Sequence, residues 1–305
     1  MRLVADIGGT NARIALSADG VINSGSIQRF SNDEWDRLDD VLHAYCSAHP
    51  EAAIDEMVIA VAGPVNAGFA KLTNRNWAIS ARELAGRFSC RTVTLLNDLS
   101  ALGHAVPAFD RNDVVQICGT LAPPSTKRRS LVVGIGTGFN ISQVITTGGT
   151  TVCPPAEAGH ISMPVSIASK LQTYGCDPTA FPTVETLFSG RGFTAFCRQM
   201  SGLPDVTGTV AIADYAAGQR DTTGAAVEAY ASLVGLLLRE LSLLYMPSHG
   251  MVLAGSVACA VATCAPNPLI EVLQAPCKFR IEESPLVSIA KDDGAALFGC
   301  ATFKA

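Results

Sequence analysis

The stretch Met1–Leu16, MRLVADIGGTNARIAL, decides how the rest of the chain is interpreted. An apolar run ends in Asp6, the four residues Gly8–Asn11 follow, and a second apolar run covers Ile14–Leu16. This pattern predicts two strands joined by a glycine-rich turn. Glycines let backbone amides approach an anion closely, and a carboxylate at a strand end suits a hydrated Mg²⁺. The stretch therefore indicates either a phosphate and metal site or an ordinary hairpin.

Two common nucleotide-binding motifs are excluded by the same stretch. A P-loop has the pattern GxxxxGK[ST] and opens a helix, and the chain contains no such run. A Rossmann fingerprint also continues into a helix. Here the apolar residues after the glycines predict a strand instead.

The composition limits the class of protein. The 305 residues, 48% of them hydrophobic, predict about two domains with large cores. A net charge of −5 argues against a nucleic-acid partner, and no apolar run reaches the roughly 18 residues of a membrane span. Ten scattered cysteines predict buried thiols in a reduced protein, and a strand so near the N-terminus argues against a signal peptide. We therefore expect a cytoplasmic protein.

A second glycine-rich turn repeats the opening pattern in the middle of the chain. The apolar run Leu131–Val133 leads into the glycine-rich residues Gly134–Gly138, and another strand is predicted over Asn140–Ile145. Two such hairpins, one in each half, predict two related domains that hold the phosphates of a nucleotide from both sides. The repetition favours the phosphate interpretation over an ordinary hairpin.

A buried strand that runs into Asn97 and Asp98 provides candidate catalytic groups. The strand covers Thr92–Leu96, and a helix is predicted over Leu99–Val106. Parallel strands present ligand-binding groups at their carboxyl ends, so Asp98 is a candidate general base and Asn97 a candidate hydrogen-bonding residue. An aspartate before a helix is commonly its N-cap, and from these residues alone the cap is favoured.

Glu157 and His160 are close together in one loop. Their side chains suit hydrogen bonds to vicinal hydroxyl groups, and they suit metal coordination equally well. No third ligand of that kind lies near them in the sequence. Both interpretations stay open at this point.

Three helices are predicted from local signals. Ser31 and Glu34 have the spacing of a capping box and predict a helix that continues to about His49. Gly224–Tyr245 is apolar nearly all round and predicts a long buried helix. Asp292–Asp293 predict the start of a C-terminal helix.

Seven motifs in this order resemble the bacterial ATP-dependent glucokinase family, which belongs to the superfamily of sugar kinases, heat-shock ATPases and actin. The motifs are DIGGTNAR (Asp6–Arg13), TNRNW (Thr73–Trp77), LLNDLSA (Leu95–Ala101), GIGTGF (Gly134–Phe139), EAGH (Glu157–His160), ETLFSG (Glu185–Gly190) and AGS (Ala254–Ser256). The resemblance implies a two-domain α/β fold of the actin-like ATPase (ribonuclease H-like) type with a central cleft. A small domain over 1–108 is completed by a C-terminal helix over 289–305, and the large domain covers 109–288.

The resemblance also implies a role for each site residue. Asp98 is the base that faces the sugar 6-hydroxyl, and Asp6 is the carboxylate on the Mg²⁺ side, acting through water. The sugar ligands are Asn97, Asp98, Glu157, His160 and Glu185. The ATP-binding residues are Gly8, Gly9, Thr10 and Asn11 in the first turn, Gly136, Thr137 and Gly138 in the second, and Gly255 near the adenosine.

The implied activity is transfer of the γ-phosphoryl group of ATP to the 6-hydroxyl of glucose by a homodimer. A kinase for another hexose, such as mannose, fructose or an amino sugar, is the alternative, and a sugar-sensing regulator without catalysis ranks lower. The chain departs from the family pattern at Ala158, at Phe139-Asn140 and at Ser256. Asn140 is expected to add bulk beside the second turn, Ala158 a methyl beside the sugar loop and Ser256 a hydroxyl near the adenosine, which leaves sugar and nucleotide preference open.

Overall fold

The computed structural model describes residues 1–305 except 73–74, 121–122, 124, 277–284, 292–293 and 305. Its strands are β1 (Arg2–Ile7), β2 (Asn11–Ala18), β3 (Val21–Ile22), β4 (Gln28–Ser31), β5 (Glu56–Val61), β6 (Val65–Asn66), β7 (Phe69–Lys71), β8 (Ala78–Ser80), β9 (Thr92–Asn97), β10 (Val114–Cys118), β11 (Lys127–Ile135), β12 (Phe139–Thr147), β13 (Thr150–Val152), β14 (Met251–Ala254) and β15 (Val287–Ala290). Its α-helices are α1 (Leu38–Ser47), α2 (Ala81–Phe88), α3 (Asp98–Ala105), α4 (Val165–Thr173), α5 (Val184–Leu187), α6 (Gly190–Ser201), α7 (Gly208–Ala216), α8 (Thr222–Tyr245), α9 (Ser256–Cys264), α10 (Pro266–Gln274) and α11 (Ala295–Thr302).

The chain divides into two compact units. Unit 1 comprises Met1–Phe109, Gly149–Cys153 and Asp292–Ala305, and unit 2 comprises Asp110–Gly148 and Pro154–Lys291. The predicted boundaries follow 108 and 288. The predicted and observed divisions differ mainly in the short segment Gly149–Cys153, which the prediction assigns to the large domain and the structure to unit 1.

The main sheet of unit 1 brings three strand ends to one edge. Its order is β3-β2-β1-β5-β9, with β4 also paired to β2. Strands β1, β5 and β9 are parallel, and Ile7, Val61 and Asn97 lie in register. Because successive side chains in a strand alternate between the two faces, β1 contributes to separate buried clusters above and below the sheet. The two covered faces hold this carboxyl edge in place.

Helix α11 packs on α3, the helix that follows β9. A side-chain carbon at Gly299 would lie 1.7 Å from the Ala101 carbonyl oxygen, so only glycine permits this close approach. The Arg2 guanidinium donates hydrogen bonds to the carbonyls of Cys300, Ala301 and Phe303 at 3.1, 2.8 and 2.8 Å. A cation suits the C-terminal end of a helix, where carbonyl groups lack partners. These hydrogen bonds therefore hold the end of α11 against β1.

Unit 2 contains the second glycine hairpin and the longest helix. Five of its strands follow the order β10-β15-β14-β11-β12, in which β11 and β12 form the antiparallel hairpin. The predicted long buried helix is confirmed as α8, and most of its side chains are buried. It ends where Met246 adopts the left-handed conformation, with φ of +45°, which is a common helix stop. In the described residues no single helix is long and apolar enough to cross a membrane, although α9 and α10, bent by 91°, meet that test as a pair.

The capping-box prediction near Ser31 is wrong about where the helix begins. A short 3₁₀ helix covers Asn32–Glu34, the Ser31 side chain makes no cap hydrogen bond, and α1 starts only at Leu38. The reason is tertiary, because Asn32 is fully buried and binds the first glycine turn instead. The predicted helix start at Asp292–Asp293 lies outside the described residues, and α11 follows it from Ala295.

Candidate active site

The first glycine turn is held through the carbonyl groups of Gly8, Gly9 and Thr10. Asn32 donates from Nδ2 to the Gly8 carbonyl and from its backbone amide to the Thr10 carbonyl, both at 2.8 Å. The Nε of Arg75 donates to the Gly9 carbonyl at 2.8 Å. Within the described part of the chain, the amides of Gly9 and Thr10 donate to no protein acceptor. The turn therefore keeps backbone donors for an anion, as a phosphate site requires.

Arg75 is itself fixed by its neighbours. Its guanidinium forms an ion pair with Asp33 and lies 5.4 Å from the ring centroid of the buried Trp77. The side chain of Arg75 is only 20% exposed. Arg75 lies in the TNRNW motif and Asn32 in none of the motifs, and the sequence patterns assigned neither residue a role, because their partners lie 66 and 24 positions away. Of the TNRNW motif, residues 73–74 lie outside the described residues.

Asp6 and Asn97 lie at the carboxyl edge of the parallel strands β1, β5 and β9. Asp6 is half-buried and lies two positions before Gly8, the first residue of the first glycine turn. Asn97 donates from Nδ2 to the Gly63 carbonyl at 3.1 Å and accepts from the Leu99 amide at 3.0 Å. Asn97, and not Asp98, is thus the N-cap of α3.

Asp98 directly follows Asn97, the N-cap of α3. It is the first residue of α3, and its Oδ1 accepts from the Leu99 amide at 2.9 Å. Burial raises the pKa of Asp98 above the ordinary carboxyl value, and hydrogen bonds from backbone amides and from Asn97 oppose this rise without cancelling it. A carboxylate whose pKa is raised is a stronger proton acceptor.

The second glycine turn, like the first, keeps two backbone amides that donate to no protein acceptor in the described part of the chain. Its Gly136 carbonyl accepts from the Gly190 amide at 2.7 Å, and its Gly138 carbonyl accepts from the Gly136 amide at 3.0 Å. The amides of Thr137 and Gly138 have no protein acceptor among the described residues. Both turns, each within its own unit, thus combine engaged carbonyls with two available amides.

Gly255 packs directly against the backbone of the second turn. Its φ is +86°, and a side-chain carbon there would lie 2.5 Å from the Ile135 carbonyl oxygen. The Cα of Gly255 is also the nearest atom, at 3.7 Å, to a side-chain carbon built on Gly136. Only glycine fits this position, and the exposed Ser256 then begins α9.

Glu185 joins the second turn to the candidate sugar loop. Its Oε2 accepts from the Phe139 amide at 3.0 Å, directly after the turn. A side-chain carbon on Gly159 would lie 2.5 Å from the Phe139 carbonyl oxygen and 3.2 Å from the Glu185 Cβ. The loop, the turn and Glu185 therefore pack as one group within unit 2.

The loop itself is a single 3₁₀ turn over Ala158–His160. Glu157 and His160 are both exposed, and the His160 amide donates to the Glu157 carbonyl at 3.2 Å. In the described residues no three His, Cys, Asp or Glu side chains group as metal ligands, so nothing there favours the metal interpretation of this pair. The exposed pair is available to hydrogen-bond a polar ligand.

Two of the departures from the family pattern have other effects than expected. Ala158 is buried and belongs to the core of unit 2, so its methyl does not face the exposed side of the loop. Asn140 does not simply add bulk beside the turn. Its side chain donates to the Ala156 carbonyl at 2.7 Å and accepts from the Ala158 amide at 3.0 Å.

Comparison with known proteins gives one consistent family. The chain matches the family model described as Glucokinase over residues 3–304. It is 29% identical over 267 residues to a glucokinase of Nitrobacter hamburgensis and 30% identical over 275 residues to one of Saccharophagus degradans. Each alignment covers 84% of this chain and 82% of the relative.

A solved structure shows the same similarity in three dimensions. The chain superposes on a glucokinase from an Antarctic psychrotroph with a TM-score of 0.82 and 25% identity, covering 99% of this chain and 97% of the other. The predicted actin-like ATPase fold of the α/β class is thereby confirmed, as is the resemblance to the family.

Proposed function

The chain belongs to the glucokinase family, and from this premise we propose how its residues carry out the reaction. The enzyme is an ATP-dependent hexose kinase that transfers the γ-phosphoryl group of ATP to the 6-hydroxyl of glucose, giving glucose 6-phosphate and ADP. Phosphoryl transfer depends mainly on positioning and on neutralising charge, with a base to orient the attacking hydroxyl. Each of these tasks can be assigned to named residues.

The available amides of the two glycine turns are the observation that carries the proposal. Gly9 and Thr10 in unit 1, and Thr137 and Gly138 in unit 2, keep donors that no described protein group uses. We assign Gly8–Asn11 and Gly136–Gly138 to the phosphates of ATP, because oriented backbone amides form anion-binding concavities. Gly255 directly behind the second turn is assigned to the adenosine side.

Asp98 is assigned as the base that accepts the proton of the sugar 6-hydroxyl. The raised pKa of Asp98 and its position at the start of α3 support this assignment. Asn97, whose amide is fixed between Gly63 and Leu99, would hold a neighbouring hydroxyl. A site built from fixed polar groups discriminates strongly between sugars that do and do not carry the matching hydroxyl.

Glu157, His160 and Glu185 are assigned to the remaining sugar hydroxyls. Glu157 and His160 are exposed on one 3₁₀ turn, and Glu185 packs against the same turn. Carboxylates accept hydrogen bonds from hydroxyls, and an imidazole provides either a donor or an acceptor.

Mg²⁺ fits the residues of unit 1. The half-buried Asp6 provides one carboxylate next to the first glycine turn, which suits an ion that keeps several waters and binds substrate phosphates. When bound, Mg²⁺ would neutralise charge on the transferred group. We assign Asp6 to this ion through water.

Cytoplasmic location and a homodimer complete the proposal. The buried cysteines Cys90, Cys118, Cys176, Cys197 and Cys300 are free thiols, which suits a reducing compartment. The homodimer rests on the family resemblance, and light scattering coupled to size exclusion measures it.

The deciding experiment is a steady-state assay of ADP formation with Mg-ATP and a panel of glucose, mannose, fructose and glucosamine. We expect glucose to give the highest kcat/KM. A higher value for another hexose would make the enzyme a kinase for that sugar, and no turnover with any of them would favour a regulator. Asp98→Asn is the control for the contribution of contaminating kinases.

A further inference from the structure

Asn140 connects the strand after the second glycine turn to the loop that carries Glu157. Its Nδ2 donates to the Ala156 carbonyl at 2.7 Å, and its Oδ1 accepts from the Ala158 amide at 3.0 Å and from the Ile141 amide at 2.9 Å. The two loop partners are the residues immediately before and after Glu157. One side chain therefore fixes the backbone on both sides of a proposed sugar ligand.

The hydrogen-bond pattern admits one orientation of the amide. A carbonyl faces Nδ2 and two backbone amides face Oδ1, so rotation of the group by 180° would leave all three contacts mismatched. Aspartate has the acceptor and lacks the donor, and glycine lacks both. Among the standard side chains of this size, only asparagine satisfies all three partners.

The strand pairing gives the side chain room to reach the loop. Asn140 pairs with Gly134 in the β11–β12 hairpin, and Gly134 has no side chain to occupy the same face. The bridge then spans 16 and 18 positions of sequence to Ala156 and Ala158. The buried Ala158 and the close contact of Gly159 with Phe139 hold the rest of the loop.

We propose that Asn140 is a positioning residue that holds Glu157 in the geometry for sugar binding. The proposal rests on the assignment of Glu157 as a sugar ligand. Asn140 is assigned no contact with either substrate, and its polar atoms hold the loop and its own strand. Its effect should therefore appear in the KM for glucose and depend on the presence of Glu157.

The test is a double-mutant cycle with Asn140→Gly and Glu157→Gln, using steady-state kinetics with both substrates varied. We expect Asn140→Gly to raise the glucose KM on the order of ten-fold, with the ATP KM changed by less than about two-fold, because two hydrogen bonds to the loop are lost. In the Glu157→Gln background the same substitution should change the glucose KM much less. Asn140→Asp, which keeps the acceptor contacts, should fall between wild type and Asn140→Gly.

Asn23→Ala is the matched control, because Asn23 also bonds a nearby backbone amide, that of Gly25, in a turn outside the proposed site. It should leave both KM values unchanged, and thermal melting should show that every variant is folded. Additive effects in the cycle, or an ATP KM that rises as much as the glucose KM, would overturn the role of Asn140. An unchanged glucose KM in Glu157→Gln alone would instead refute the assignment of Glu157.

Discussion

The Oε2 of Glu185 accepts a hydrogen bond from the backbone amide of Phe139 at 3.0 Å, one residue past the second glycine turn. A proposed sugar ligand and a proposed phosphate-binding turn thus share a contact within unit 2. Glu185 is 30% exposed, so one oxygen supports the turn while the carboxylate stays accessible to a ligand.

Substitution of Glu185 should therefore affect both substrates. We expect Glu185→Ala to raise the KM for glucose and the KM for ATP, each on the order of ten-fold, because a charged acceptor is lost from both. Glu185→Gln keeps a carbonyl that can accept from Phe139, so the ATP KM should return toward wild type while the glucose KM stays high. Equal ATP KM values for the alanine and glutamine variants would contradict the shared contact.

Asp98→Asn should nearly abolish phosphorylation while glucose still binds. Loss of a general base typically lowers the rate by on the order of 10²–10⁴. The kcat from steady-state kinetics and the glucose affinity from calorimetry check the two parts separately. Turnover near the wild-type value would remove Asp98 from the base position.

The same substitution should stabilise the fold at neutral pH. Because the pKa of Asp98 is raised in the folded state, the native protein binds this proton more tightly than the unfolded chain does. At pH values above the pKa of an unfolded aspartate, near 3.9, ionisation of Asp98 therefore lowers the free energy of unfolding. The Tm of Asp98→Asn should exceed that of wild type at pH 7, by about 2–4 °C for each kcal/mol recovered, and the difference should shrink as the pH falls toward that value.

Asp177 provides a control of opposite sign for that measurement. Hydrogen bonds from Thr179 lower the pKa of this exposed carboxyl, so its ionised form contributes stability above its unfolded pKa, and the contribution is lost as the pH falls through the folded value. Asp177→Asn should lower the Tm at pH 7. A rise in Tm for both variants would show that the two effects do not come from their pKa shifts.

Arg75→Ala should weaken ATP binding. The substitution removes the donor to the Gly9 carbonyl and the ion pair with Asp33, so the first turn is less well held. We expect the ATP KM to rise about three- to ten-fold with little change in the glucose KM. Arg87→Ala is the matched control, since Arg87 also pairs with an aspartate, Asp39, at 2.6 Å and belongs to α2. Equal effects of the two variants would remove Arg75 from the site.

Gly255→Ala should destabilise the protein strongly. Gly255 has φ of +86°, and a methyl group there would collide with the Ile135 carbonyl oxygen. The free energy of unfolding should therefore fall by about 2 kcal/mol or more. Gly86→Ala is the control of opposite sign, because Gly86 lies inside α2 with open space around it. This substitution should raise the free energy of unfolding by roughly 0.5–1 kcal/mol. Thermal melts of the two variants should move in opposite directions, and a Gly255→Ala protein as stable as wild type would contradict the strain.

The hairpins were predictable from sequence, and the groups that hold them were not. A cluster of glycines between two short apolar runs of strand length indicates a turn, so the residues of both turns follow from local pattern. Asn32, Arg75 and Asn140 act on backbone carbonyls and amides 16 to 66 positions away, and such contacts leave no periodic signal in the chain. The helix start predicted at Ser31 was wrong for the same reason, because the neighbouring Asn32 binds the first turn and α1 begins only at Leu38.

The close approach of Gly299 to Ala101 and the hydrogen bonds from Arg2 to the end of α11 have a consequence for synthesis of the protein. Strand β1 and α3, which carry Asp6 and Asp98, are synthesised before α11, the helix that packs against both. Until α11 has been made, apolar side chains that it buries in unit 1, such as Val4 and Val58, lack this cover. The proposed base therefore acquires its surroundings only once α11 has been made, and a chain cut before Ala295 should have no kinase activity.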